Sequence, residues 1–130
     1  MVNDPIGDMI IQIKNAGMVG KPIISLPSSK GKFAVASILL KEGYVRSVEQ
    51  KGEAPRLQLV IKLKYVNGKH VITDVKSMSK PGIRLYVDKN TIPVILGGMG
   101  TAIISTSKGV MTGKEAKKTG IGGELMCEIW

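Results

Sequence analysis

The stretch Arg56-Leu57-Gln58-Leu59-Val60-Ile61-Lys62-Leu63-Lys64-Tyr65-Val66-Asn67-Gly68 decides the fold of this 130-residue chain. Leu57, Leu59, Ile61, Leu63 and Tyr65 alternate with Arg56, Gln58, Lys62 and Lys64, the period of a half-buried strand with a basic outer face. Asn67-Gly68 is the strongest two-residue hairpin signal, and Val71, Thr73 and Val75 are expected to return as the antiparallel partner.

Upstream of this strand the period is helical. Ile6, Met9, Ile10 and Ile13 fall on one face, with Asp4 as cap, Pro5 at the first helical position and Gly17 as the expected end. A loop through Lys21-Pro22 and Leu26-Pro27 leads to Ser28-Ser29. Lys30 to Glu42 then repeats the helical pattern in Val35, Ile38, Leu39 and Glu42, before a stop at Gly43. With a further strand from Tyr44, the order helix, helix, strand, strand, strand predicts a small sheet covered on one face by two helices.

Downstream, Ser79-Lys80-Pro81-Gly82 marks a break, because Pro-Gly sets a turn and proline fits neither a helix interior nor a central strand. After it Ile83, Leu85 and Val87 alternate with Arg84 and Tyr86. Gly97-Gly98-Met99-Gly100 precedes the apolar run Thr101 to Ile104. Thr112 and Glu115 form the capping box of a short helix that stops at Gly120, and Leu125, Cys127 and Ile129 alternate in a last strand. The fold class is α+β with two small packed domains. Residues 1–78 form a helix-helix plus three-stranded antiparallel sheet, and residues 79–130 a strand-rich domain with a short helix.

Nineteen Lys and Arg against ten Asp and Glu give a formal charge of +9, while 43% of residues are hydrophobic and 22% charged, enough apolar material for a packed interior. The length allows one compact domain or two small ones and excludes a large multidomain enzyme. Cys127 is the single cysteine, so neither an intramolecular disulfide nor a multi-thiolate metal site is available. The start Met-Val-Asn-Asp-Pro lacks the pattern of a signal peptide, and a soluble, cytoplasmic protein is expected. Such a basic domain meets an anionic partner, with nucleic acid ahead of a membrane surface. The excess is divided unequally: residues 1–78 carry twelve basic and six acidic side chains, net +6, and residues 79–130 seven and four, net +3. Half of the 16 glycines lie within positions 97–123.

Catalysis has little to draw on, and no catalytic residue, metal, cofactor or small-molecule substrate is expected. His70, the lone histidine, reads as a solvated turn residue, and Cys127 as a buried small hydrophobe. Gly109-Val110-Met111-Thr112-Gly113-Lys114-Glu115 is too short and ends wrongly for a phosphate loop. Ser105-Thr106-Ser107-Lys108-Gly109 is more informative, since three hydroxyls, a Lys and a Gly at a strand end offer donors, acceptors and close backbone approach to a folded RNA. The same residues also suit an ordinary polar turn. Tyr86 stands opposite the apolar positions of its strand beside Arg84, placed either to stack on a base or to sit between domains. Glu124, after Gly122-Gly123, is able to accept from a base amino group or to remain simply solvated. Lys30 and Lys32 follow Ser29 on the first turn of the second helix, where lysine is locally unfavourable and an anion is favoured. Arg56, Lys62 and Lys64 form a basic face that serves an anion or only solvation.

These residues resemble a family. Asp4-Pro5-Ile6-Gly7-Asp8-Met9, Ile13-Lys14-Asn15-Ala16, Ser28-Ser29-Lys30, Lys41-Glu42-Gly43-Tyr44, Lys80-Pro81-Gly82-Ile83-Arg84-Leu85-Tyr86, Ser105-Thr106-Ser107-Lys108-Gly109-Val110-Met111-Thr112 and Gly122-Gly123-Glu124-Leu125 together look like a bacterial member of the S-eight family of small-subunit ribosomal proteins. The likeness covers essentially the whole chain, departing at Gly7, Gln12 and Lys14. It implies a two-domain protein, not an enzyme, that binds the central domain of 16S rRNA early in assembly of the subunit platform, beside neighbouring small-subunit ribosomal proteins. In some bacteria the family's members also repress translation of their own messenger. By motif match, the main contact with a distorted stem falls on Tyr86, Ser105, Thr106, Ser107, Gly122, Gly123 and Glu124, and Arg84 and Lys108 beside them are also expected at the rRNA. Secondary backbone contacts fall on Lys14, Asn15, Ser29, Lys30 and Lys32. A non-ribosomal RNA-binding regulator and an RNA-modifying enzyme are the alternatives.

Overall fold

A computed structural model describes residues 4–130. The chain divides into two compact units, Asp8–Thr73 and Asp74–Trp130, the second joined by residues 4–7. Both combine helix with antiparallel sheet, and the class is α+β.

Helix α1 spans Pro5–Met18, and the Asp4 carboxylate accepts from the Gly7 N–H at 3.1 Å, the cap its sequence implied. The helix does not stop at Gly17. It runs one residue further, to Met18, and is closed where Gly20 takes φ +78° and the N–H groups of Gly20 and Lys21 return to the carbonyls of Gly17 and Ala16. Gly17 is glycine for a different reason: a Cβ there would overlap the His70 ring. Helix α2, Lys30–Lys41, is capped by Ser29, whose Oγ accepts from the Lys32 N–H at 3.2 Å. It closes at Gly43 (φ +81°) with Tyr44 N–H donating to Leu39 O at 2.8 Å.

The three-stranded sheet has the order β1-β3-β2, with β1 Ile23–Pro27, β2 Val45–Lys51 and β3 Gln58–Leu63. Leu59, Ile61 and Leu63 are buried as their alternation required. The membership of the sheet differs from expectation. Ile23–Pro27, expected as loop, is an edge strand paired with β3, its proline at the last position, where a missing ladder donor does no harm. The hairpin at Asn67-Gly68 forms, both residues at positive φ, but only as a two-stranded ribbon of β4 (Tyr65–Val66) and β5 (Lys69–His70). Val71 and Thr73 are in no strand, and β6 (Val75–Ser77) belongs to the second unit's sheet.

That sheet runs β6-β10-β8-β9, with β8 Thr101–Thr106, β9 Gly109–Thr112 and β10 Gly123–Ile129. The short β7, Tyr86–Val87, also pairs with β10. The alternation at 83–87 yields only those two strand residues. Ile83 and Leu85 are exposed, since Lys80 and Ile83 exchange backbone hydrogen bonds across a tight turn. Helix α3, Gly113–Thr119, starts at Thr112 with the expected capping box and ends at Gly120. Ile92, Ala102, Ile104, Ala116 and Leu125 form one apolar cluster. A bulge between Leu125 and Cys127 turns Cys127 and Ile129 to the other face with Ile103, where all three are fully buried.

His70 is not a solvated turn residue. Its ring lies 5.4 Å from that of Tyr65, and its buried Nε2 has no hydrogen-bond partner among the described residues. Burial lowers its pKa from 6.5, because an imidazolium there would lack a partner and lose hydration. The folded state therefore binds this proton less readily than the unfolded chain, so stability contributed at neutral pH is lost as pH falls below about 6.5. Urea unfolding of the wild type and of His70→Gln at pH 8 and pH 5.5 checks this: the wild type loses more stability on acidification than the variant.

Candidate nucleic-acid interface

Gly122 and Gly123 lie where three backbones converge. A Cβ on Gly122 would overlap the Val87 carbonyl oxygen and crowd Asp88 Cα at 2.6 Å, and one on Gly123 would overlap the Ser105 carbonyl. Only residues without a side chain let β10 run between β7 and β8 at this point. The register follows: Glu124 pairs with Tyr86 on one side and with Ser105 on the other, and Ser105 with Val110 beyond it. Directly opposed residues share a face, so Tyr86, Glu124 and Ser105 form one row across three strands.

The row differs in character from its surroundings. Tyr86 is 72% exposed, so its ring is free to stack. Arg84 Nη1 lies 3.2 Å from Glu124 Oε2, an ion pair whose carboxylate side chain is 22% exposed and whose guanidinium is 52% exposed. Such an exposed pair stabilises the fold by no more than about 1 kcal/mol. What it sets is the orientation of the Glu124 carboxylate, which is therefore not the merely solvated group its sequence position allowed.

Ser107 and Lys108 form the turn of the β8–β9 hairpin, in which Thr106 pairs with Gly109. The Thr106 hydroxyl is already used: it accepts from Lys108 N–H at 3.1 Å and donates to Gly109 O at 2.8 Å. Ser107 and Lys108 point into solvent, and Ser105 is half-buried in the row. The cluster is thus both of the things its sequence allowed, a self-bonded polar turn at Thr106 and free groups at Ser107 and Lys108. The sequence reading missed Ser79. Its buried Oγ accepts from Leu85 N–H at 2.8 Å, which fixes the loop carrying Arg84 and Tyr86. Only the Ser-Lys-Pro-Gly turn signal pointed there.

The other candidates lie in the first unit. Lys14 and Asn15 sit on α1, Asn15 exposed, Lys14 half-buried and engaged in an interaction of its own. Ser29 caps α2, Lys30 is exposed beside it, and Lys32 Nζ donates to Pro27 O at 2.9 Å. The backbone carbonyl meets part of the electrostatic need of a lysine placed at a helix N-terminus.

Cys127 is fully buried, and burial together with the Glu128 charge pushes its thiol up to about 12. It is a packing residue rather than a nucleophile. Among the described residues no group of three His, Cys, Asp or Glu could hold a metal, and no helix is long and apolar enough to cross a membrane.

A family model described as Ribosomal protein S8 matches residues 4–130. The chain belongs to this family. The S8 assignment is supported by relatives named small ribosomal subunit protein uS8. That of Dictyoglomus turgidum is 53% identical over 129 residues, covering 99% of this chain and 98% of the relative. That of Clostridium acetobutylicum is 47% identical, covering 100% and 99%, and that of Paraburkholderia xenovorans is 47% identical, covering 98% of each. The S8 family is not an enzyme class.

Gly123→Ala would force β8 and β10 apart at Ser105, against backbone that cannot rotate away. It is expected to destabilise the protein by roughly 1 to 3 kcal/mol, whereas Lys118→Ala on the exposed surface of α3 stays within about 0.5 kcal/mol. Thermal unfolding of the two variants beside the wild type measures the difference.

Proposed function

We propose that this S8-family protein is a structural constituent of the small ribosomal subunit and a primary rRNA-binding protein for the central domain of 16S rRNA. Residues 79–130 carry the main surface, and Arg84, Tyr86, Ser105, Ser107, Lys108 and Glu124 read a distorted stem over the backbone approach opened by Gly122 and Gly123. Thr106 serves by holding the turn. Residues 1–78 add contacts to the RNA backbone through Lys14, Asn15, Ser29, Lys30 and Lys32.

The observation that carries this reading is the row itself. An exposed ring, an oriented carboxylate and a serine hydroxyl stand side by side across three strands, an arrangement suited to unpaired bases and ribose rather than to regular duplex. The charge of +9 supplies long-range attraction, and the polar row supplies selectivity. A messenger presenting the same RNA shape would occupy the same surface, which is how repression of its own message would operate. The protein would then be found on the ribosome in the cytoplasm, in contact with neighbouring small-subunit proteins.

Filter binding to a 16S central-domain transcript and to random RNA, repeated over a salt series, tests the division of labour. Ser107→Ala should weaken cognate binding by about 1 to 3 kcal/mol with the salt slope unchanged. Lys30→Ala with Lys32→Ala should instead reduce the slope by about one unit for each phosphate that is no longer neutralised. Equal weakening of cognate and random RNA by Ser107→Ala would remove the hairpin turn from the reading surface.

A further inference from the structure

In the first unit an open groove of about 470 Å³ runs along α1 beside the start of β1. Its helix side is one stripe of α1, Asp8, Ile11, Gln12, Asn15 and Ala16 at helical spacing, continued by Val19. Its sheet side is Ile24 of β1, with nothing from β2 or β3 among the described residues, so the groove opens at the outer edge of the sheet. The register shows what that edge offers. Leu63 N–H donates to Pro22 O and Ser28 N–H to Leu57 O, and the alternation between them turns the backbone groups of Ile24 and Leu26 toward β3 and those of Ile23 and Ser25 outward. The N–H and C=O groups of Ile23 and Ser25 therefore face the side where another strand could pair. We propose that the groove binds an extended segment of a second protein, which adds to β1 as a new, antiparallel outer strand with a basic residue at its start and an acidic residue at its end. The site shares no residue with the row of Tyr86, Glu124 and Ser105, and only Asn15 with the residues assigned above to the RNA backbone.

Length, polarity and charge point to that occupant. Asp8 to Val19 spans about 16 Å at roughly 1.5 Å per residue, the length of about five residues of extended chain. Ile11, Ala16, Val19 and Ile24 give an apolar floor, and Ile11 and Val19, 41% and 72% exposed, have apolar surface left to cover. Every second side chain of an added strand falls on that floor, which is how strand addition to a sheet edge gains specificity. Gln12 and Asn15 are exposed on the helix side, with amides that both donate and accept along an extended backbone. Pro27 has no N–H and its C=O accepts from Lys32 Nζ at 2.9 Å, so the open edge is confined to Ile23 and Ser25 beside the groove. The charged lining is Asp8 and Lys21, which cancel in a molecule of net charge +9, so the lining itself gives a phosphate backbone no net attraction. The two charges also stand at opposite ends. Asp8 is in the first turn of α1, and Lys21 follows the close of the helix at Gly20. β1 begins at the Lys21 end, so a strand antiparallel to it starts toward the carboxylate and finishes at the ammonium. Antiparallel pairing is the more stable per residue and is already the geometry of β1 with β3.

The test is titration of the isotope-labelled full chain with a short peptide of alternating valine and threonine, lysine first and glutamate last, followed by nuclear magnetic resonance. Slowed hydrogen exchange at the Ile23 and Ser25 amides is expected, with shifts of the Ile11 and Val19 methyl groups. Ser25→Pro removes an outward N–H and no bond to β3, and Val19→Glu places a like charge where the peptide's glutamate would lie. Each should weaken binding at least about fivefold. Should Ser25→Pro fail to fold, Val19→Glu, at an exposed position, carries the same readout. The peptide with glutamate first and lysine last should bind more weakly to the wild type and more tightly to the double variant Asp8→Lys with Lys21→Glu. Ile23 and Ser25 amides left unprotected at millimolar peptide, or equal affinity of the wild type for both peptides, would overturn the proposal. Protection of the same amides by a 16S central-domain transcript and not by the peptide would give the groove to RNA and overturn it likewise.

Discussion

The close approach of three backbones at Gly122-Gly123 is the constraint on which the C-terminal unit depends. β10 pairs with β7 and β6 along one edge and with β8 along the other, so an error in its placement would propagate to every strand of that sheet. The glycines fix its separation from β7 and β8, and the bulge after Leu125 fixes which face each residue takes. Under strict alternation Glu124 would share a face with Met126 and Glu128. With the bulge it shares a face with Ser105, Ile103 and Cys127, and the polar row becomes the solvent end of an otherwise buried apolar face. One extra residue in one strand therefore decides where the carboxylate points.

The helices were legible because their ends are written in local chemistry. Asp4, Ser29 and Thr112 cap the starts of the three helices through side-chain oxygens, and Gly43 and Gly120 close two of them. These effects depend on residues within four positions, so sequence carries them. Gly17 misled because a glycine inside a helix signals either a stop or a close neighbour, and the neighbour, His70, is 53 positions away. The first sheet failed at β1 for a related reason. Ile24 and Leu26 alternate with exposed Ile23 and Ser25, but the segment is short and bounded by Pro22 and Pro27, so its only strong cue is its pairing with β3.

Candidate site residues were legible as residue types and much less as partners. The sequence left Tyr86 either exposed or set between domains, and it is exposed. That Glu124 would stand between Tyr86 and Ser105 required the register, which no local pattern contains. The Thr106 hydroxyl shows the same gap from the other direction: three adjacent hydroxyls look equivalent in the sequence, yet one is spent on its own turn and the next is free. Ser79, buried and bonded to the backbone of Leu85, does as much to place Arg84 and Tyr86 as any residue in the strand itself.

A carboxylate at the centre of such a row is informative because it works against the charge of the whole molecule. Glu124 lowers the local attraction for any phosphate that reaches the row, and the unit that holds it has the smaller share of the positive excess. A surface selected only to hold RNA would have no use for it. A surface that must reject most RNA has a use, since a group that repels phosphate and accepts from a base amino group penalises wrong partners more than right ones. Arg84 makes this tolerable by pairing with one carboxylate oxygen and holding the group in place. On the proposed reading, selectivity is built by subtracting affinity at one position of a molecule whose net charge of +9 attracts RNA.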